Sequence, residues 1–184
     1  MFIQSEDTPN PNTLKFLPGK VVLEKSTVDF DNKKDALKSN LANLIFQIEG
    51  IKRVFLGNDF VSVSKDENLD WDILKPSILT AIMEHYASGK PVLEYNSMTP
   101  KNISEDDNPI IKQIKELIDE RVRPAVAMDG GDISFCSFSN GVVTLQMKGA
   151  CAGCPSSTAT LKMGIENMLK HYIPEVEEVR AADL

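Results

Sequence analysis

Short apolar runs broken by turn formers alternate along this chain with longer stretches in which apolar side chains return every three or four positions. A turn-rich start, Thr8-Pro9-Asn10-Pro11-Asn12, leads to two short runs, 13–17 and 21–23, separated by Pro18 and Gly19, which read as strand pieces. Leu37, Leu41, Leu44, Ile45 and Ile48 then fall at helical spacing, with Gly50 as a stop, so a helix is expected over 35–48. Runs at 53–56 and 60–64 flank Gly57-Asn58-Asp59 as the arms of a hairpin. A second helix is expected over 69–87, with Trp71, Leu74, Ile78, Ile82 and Tyr86 along one face, Pro76 in its early turns and Ser88-Gly89 at its end.

Residues 96–108 hold few large apolar side chains, include Pro100 and carry the acidic triplet Glu105-Asp106-Asp107. They read as a linker between a first domain, 1–95, and a second, 109–184. Asn108 can cap the next helix with Pro109 at its first position, and Ile110, Ile111, Ile114, Leu117, Ile118 and Val122 form its apolar stripe until Pro124 closes it. Met128-Asp129-Gly130-Gly131-Asp132 turns the chain into a strand at 133–138, and Ser139-Asn140-Gly141 reverses it into a strand at 142–148. A two-residue turn would place Phe138, Cys136 and Ser134 beside Val143, Leu145 and Met147. A three-residue loop with Gly141 left-handed would place Ile133, Phe135 and Ser137 there; it buries more apolar area and is the preferred register, with Cys136 on the other face beside Thr144. A helix over 156–172, with Leu161, Ile165, Met168 and Leu169 inward, and a strand over 176–181 complete the chain. The expected class is α+β: a first domain with a mixed sheet and two helices, and a second of order α-β-β-α-β with a Cys-x-x-Cys loop at a helix start.

The chain has 184 residues and a net charge of −7. The acidity is spread over both halves, 11 basic against 14 acidic side chains up to residue 95 and 9 against 13 beyond it. Neither half offers the cation-lined surface that nucleic acid or an anionic membrane would need. No apolar run is long enough to span a bilayer, and Met1 is not followed by a basic and then apolar leader. Three cysteines without such a leader fit a reducing compartment, where Cys-x-x-Cys holds metal or does redox work more often than it forms a static disulfide.

The chemistry concentrates in Gly149-Ala150-Cys151-Ala152-Gly153-Cys154-Pro155. Holding a free thiol as thiolate at pH 7 costs roughly 2 kcal/mol, of which a helix N-terminus returns only ~0.3–1 kcal/mol. The dipole is insufficient, so the loop reads as a soft-metal site that is weakly primed when empty and completed by a bound cation. Cys136 is on the order of 20 Å of extended strand from Cys151, too far to be a third ligand, and reads as an incidental strand cysteine. His171 is about 25 Å along the helix from Cys154, and His85 lies near the end of a helix in the other domain; both read as surface or helix-terminal residues. Two thiolates from each of two copies would complete a four-thiolate sphere for a [4Fe–4S] cluster or tetrahedral zinc. Asp129-Gly130-Gly131-Asp132 reads first as a tight helix-to-strand connection, and residues 158–162 lack a preceding Walker pattern for phosphate.

Residues 109–181, with MDGGD, NGVV, LQMKGACAGCPSSTATLKMGIENML and YIPEVEEV, resemble the NifU C-terminal-type domain of the Nfu iron–sulfur cluster carriers. Residues 1–95, opening MFIQSEDTPNPNTLKFLPGK, resemble the Nfu N-terminal domain. The resemblance implies a carrier and not an enzyme: a homodimer that binds one [4Fe–4S] cluster through Cys151 and Cys154 of each copy, receives it from upstream assembly proteins and passes it to apo-proteins. The first domain, which has no cysteine, is then expected to serve partner recognition or modulation. The expected compartment is the bacterial cytoplasm, or the mitochondrial matrix if a transit peptide has been trimmed. Two rivals remain at this point: a thiol–disulfide redox module, which would turn over disulfides as a monomer without iron, and a dimer bridged by structural zinc.

Overall fold

The structure, a computed structural model, describes residues 2–94, 108–153 and 155–182, with the side chains of 155–157 excepted. The chain divides into two compact units, Met1–Pro100 and Lys101–Leu184. Of the expected linker only Asn108 is among the described residues.

The first unit is a five-stranded sheet covered by helices. Strands β1 (Gln4–Asp7), β2 (Thr13–Leu17), β3 (Val28–Phe30), β4 (Ile51–Leu56) and β5 (Val61–Lys65) lie in the order β1-β2-β5-β4-β3. Every pairing is antiparallel, a correction to the expected mixed sheet. The expected strand at 21–23 does not form. Val22 and Leu23 are buried in the core, and the backbone N–H groups of both donate to the carbonyl of Asn58 in the β4–β5 turn. That contact satisfies the segment without a sheet ladder.

The single helix expected over 35–48 is broken in two, α1 (Lys33–Ala36) and α2 (Asn40–Phe46). Ser39 causes the break: its hydroxyl accepts from Ala42 N–H at 3.1 Å as the cap of α2 and donates to the carbonyl of Val92 at 2.7 Å. Leu41 and Ile45 keep their inward positions, whereas Leu37, on the wrong side of the break, is exposed. The long helix α3 (Trp71–Ser88) runs from an Asp70 cap to Gly89, whose φ of 67° is the left-handed conformation of a helix stop. Trp71 is only half-buried, and its indole N–H donates to the carbonyl of Pro11. Lys65 holds the same turn, its backbone N–H donating to Asn12 carbonyl and its ammonium to Asn12 Oδ1. The Thr8–Asn12 turn is thus fastened to β5 and to the start of α3.

The second unit opens with α4 (Pro109–Leu117), capped by Asn108 as expected. Pro124 does not end the helical run, a correction to the sequence reading. A π-helical turn, Ile118–Val122, carries it into α5 (Arg123–Met128). Pro124 has no N–H to donate, and the wider turn ahead of it lets Arg123 N–H reach back to Ile118 carbonyl. The widening also suits the core. Ile114, Ile118, Val122 and Val126 are all buried, and a strict four-residue repeat on a regular helix would drift about 40° per step away from the core.

Strands β6 (Gly131–Ser139), β7 (Val142–Gly149) and β8 (Glu178–Ala181) form the sheet β6-β7-β8, antiparallel on one side and parallel on the other, with α6 (Pro155–Tyr172) as the crossover. The hairpin register corrects the preferred expectation. Asn140 and Gly141 both have positive φ, 49° and 76°, making a two-residue turn that pairs Phe138 with Val143. The register then shifts between Phe135 and Ser137, so that Phe135 faces Leu145 and Ile133 faces Met147. A bulge at Cys136 therefore reconciles the turn that Asn-Gly favours with the burial that Ile133 and Phe135 require. Cys136 is the exposed extra residue, and Ser137 takes the place opposite Thr144.

His85, expected as a surface or helix-terminal residue, lies in the last turn of α3 but is 1% exposed, and its Nδ1 has no hydrogen-bond partner among the described residues. Burial holds its basicity below that of an ordinary histidine. The folded chain therefore favours neutral His85, while the unfolded chain binds a proton below about pH 6.5. The His85 contribution is fully present above that pH and is lost as pH falls below it, by at most about 1.4 kcal/mol per pH unit. Thermal unfolding at pH 7.5 and 5.5 should show a smaller loss in His85→Phe than in the parent; equal losses would place the proton elsewhere.

Candidate metal centre

Strand β7 ends at Gly149, whose φ of 60° turns the chain into the loop 150–153. The loop is held to both neighbours by backbone bonds: Ala150 N–H donates to Gly130 carbonyl at 3.1 Å, and Ala152 N–H to Gly149 carbonyl at 3.1 Å. Thr158 on the first turns of α6 donates its hydroxyl to the carbonyl of Cys151 at 3.1 Å. Cys151 is 7% exposed and packs with the apolar core of its unit. Cys154, the second expected ligand, lies outside the described residues.

The sulfur of Cys151 rests against Gly131. A Cβ on Gly131 would stand 2.4 Å from Cys151 Sγ, 2.8 Å from the carbonyl oxygen of Lys148 and 3.0 Å from Cys151 N. Only a residue without a side chain fits, and Gly149 is its partner across the ladder. The Asp129-Gly130-Gly131-Asp132 segment is therefore the connection that the sequence suggested, with a further role as the floor beneath the thiol.

Asp132 is 4% exposed. Arg123 grips it from two sides, Nε to Oδ1 at 2.8 Å and Nη2 to Oδ2 at 3.1 Å, while Ile133 N–H donates to Oδ1 at 2.8 Å. The remaining fork nitrogen of Arg123 reaches Asp119 at 3.2 Å. This bidentate charge-assisted pairing fixes the turn that carries Gly131. Sequence reasoning missed Arg123, since only the continuation of the helix through Pro124 brings it to Asp132.

The thiol environment corrects the expectation of a primed site. Burial first, then the negative charges of Asp129 and Asp132, push the Cys151 thiol up to about 12. Ionising it at pH 7 costs on the order of 7 kcal/mol, far beyond the ~0.3–1 kcal/mol that a helix terminus returns. Burial and the two carboxylates favour the protonated thiol in the empty chain, and a bound cation would favour the thiolate. A thiol resting on a side-chain-free floor is a soft donor and suits a soft metal.

Among the described residues no three His, Cys, Asp or Glu side chains come together as a metal cage. Cys136 lies at the bulge level with Thr144 and Leu145, far along the strand from the loop. His171 is exposed near the end of α6, edge-on to the ring of Tyr172, and His85 belongs to the first unit. Among the described residues of the second unit, neither Cys136 nor His171 is brought to Cys151.

Comparison with known proteins agrees with this architecture. Residues 3–89 match the family described as "Scaffold protein Nfu/NifU N terminal", and residues 114–180 match the "NifU-like domain". The chain is 52% identical over 180 residues to the human NFU1 iron-sulfur cluster scaffold homolog, mitochondrial, covering 97% of this chain and 71% of that protein. The chain belongs to the Nfu family. NifU-like protein 4, mitochondrial, of Arabidopsis thaliana is 53% identical over 184 residues; the Nfu chain described here is covered to 97% and spans 65% of that relative's length. The solution structure of a NifU-like protein from Saccharomyces cerevisiae is 30% identical, covering 52% of this chain and 86% of that one, with a TM-score of 0.46. No helix among the described residues is long and apolar enough to cross a membrane.

The contact between Gly131 and Cys151 generates a prediction. Gly131→Ala forces either the sulfur or the β6–β7 backbone to move, and backbone atoms of Lys148 and Cys151 bar the cheaper route. A loss of ~1–3 kcal/mol is expected. Thermal or denaturant unfolding measures it, and a variant as stable as the parent would show that the thiol does not rest on Gly131.

Proposed function

We propose that two copies of this chain hold one [4Fe–4S] cluster between them through Cys151 and Cys154 of each copy and deliver it to apo-proteins. The observation that carries the reading is the half-complete thiolate set: a Cys-x-x-Cys loop in a scaffold family supplies two thiols per chain where a four-thiolate sphere needs four. A twofold pair of chains supplies four thiolates without any further residue.

The surroundings of Cys151 support a carrier over a permanent holder. A buried thiol beside two carboxylates resists ionisation, so the cluster's own positive iron must offset that cost on binding, which leaves the net affinity finite. Transfer then proceeds by exchange: an acceptor thiolate bonds to iron as the Cys151 or Cys154 sulfur leaves and takes up a proton. The same surroundings weigh against the redox rival, since a thiol that attacks disulfides needs lowered basicity and access. The zinc-bridged rival shares the donor set and differs in being colourless and inert to reduction. A carrier of this kind needs no catalytic residue. Its partners are assembly proteins upstream and apo-proteins downstream. The relatives' names, which call them mitochondrial, support a mitochondrial placement over the bacterial cytoplasm.

Anaerobic reconstitution with iron and sulfide, followed by metal and sulfide counts and mass in solution, tests the reading. Four iron and four sulfide per two chains are expected, with Cys151→Ser and Cys154→Ser each losing the cluster while retaining the fold. A lone chain carrying a full cluster, or full loading of either variant, would overturn it.

A further inference from the structure

Helices α2 and α3 of the first unit leave a trough along their shared border. Two hollows of about 660 and 380 Å³ make it up. Ile48 and Ser77 line both, so the hollows adjoin. The trough follows α3 from Ile73 to Glu84, about 16 Å or three helical turns. Its floor is apolar, from Leu44, Ile48, Leu69 and Leu74. Small residues keep it open: Gly50 at one end, Ser77 and Ala81 along α3. Leu69 lies directly on Gly50, where a Cβ would meet its Cδ1 at 1.9 Å. Ile73 stands at the margin 72% exposed, on a helix whose opposite face already supplies the core.

The margin has one sign. Glu49, Asp66 and Glu84 line it against a single cation, Lys52, and that ammonium is engaged with Asp66 at 3.1 Å. Such a surface repels nucleic acid and anionic membrane, and a second copy of a chain with net charge −7 is repelled overall. An apolar floor three turns long between acidic margins matches an amphipathic helix with aliphatic residues on one face and Lys or Arg beside them.

We propose that this trough is the docking site of a basic amphipathic helix presented by a partner protein. The proposal stands apart from the cluster reading, because every trough residue belongs to the first unit, which has no cysteine.

The test uses the full chain, in its parent form and as Cys151→Ser. The probe is a synthetic helical peptide with leucines at i, i+3, i+4 and i+7 and flanking lysines; its control carries glutamates in place of the lysines. Backbone amide NMR during titration should show saturable shifts confined to residues 44–52 and 66–84, weakening with salt and absent with the acidic control. Glu49→Lys with Glu84→Lys should weaken binding by roughly tenfold or more. Ser77→Trp, which fills the trough at an exposed position and leaves its charge unchanged, should weaken it by a similar factor. Both chains should bind alike, so a failed cluster assignment would leave this result standing. Absence of saturable shifts, equal binding of the acidic peptide, unchanged affinity in Ser77→Trp, or the same shifts from self-association without peptide would overturn the proposal.

Discussion

The approach of Cys151 sulfur to the α-carbon of Gly131 is the contact that organises the working end of the second unit. It demands a glycine at 131, while Gly149, facing it across the first rung of the β6–β7 ladder, is glycine for its φ of 60°, which turns the chain into the loop 150–153. The next residue, Asp132, is thereby buried with its charge, a state that is costly unless opposite charge and donors meet it. Arg123 and the N–H of Ile133 meet it. Arg123 reaches that position because the helical run continues through Pro124, and the π-helical turn permits the continuation. A backbone irregularity two turns away thus supports the floor of the thiol.

Much of this was legible from residue pattern, and each failure has a physical cause. Apolar periodicity located α3, α4, α6 and the central strands, because burial of one face dominates those segments. Where a backbone group had to be satisfied by a distant partner, periodicity misled. Ser39 splits a continuous stripe by capping α2 while bonding Val92, and Asn58 draws residues 22 and 23 off any ladder. The β6–β7 register needed two local rules weighed together: turn chemistry governs the tip, burial governs the base, and a bulge at Cys136 joins them. At the candidate site the residue types were visible, but the state of the thiol was not. Spacing places Cys151 before a helix; only packing reveals that burial and two aspartates outweigh the helix terminus there.

The Thr8–Asn12 turn is a structural device. Thr8 Oγ1 donates within it to Asn10 and Thr13 carbonyls, Asn10 Oδ1 accepts from Asn12 N–H, and Lys65 and Trp71 fasten its far side. The aromatic face of Trp71 also carries the Lys65 ammonium, 5.4 Å from the ring centre. One turn thereby ties β2, β5 and the start of α3 together, so the entry to α3 and the trough beside it have a fixed base.

A carrier must satisfy opposed demands: a cluster held too strongly is never delivered, and one held too weakly is lost to solvent. The two units divide these demands chemically. On the proposed reading, the second would hold the cargo through a buried thiol that resists ionisation, which lowers the net gain on binding, and half a coordination sphere per chain would leave iron open to an incoming thiolate once one sulfur departs. Weak retention is useful only if acceptors arrive more often than competing thiols or water. Raising the local concentration of an acceptor through a separate contact achieves that without strengthening the grip on the cargo. An acidic trough with an apolar floor, on a unit without thiols, is suited to that second task, because its affinity for a basic helix can be tuned independently of iron.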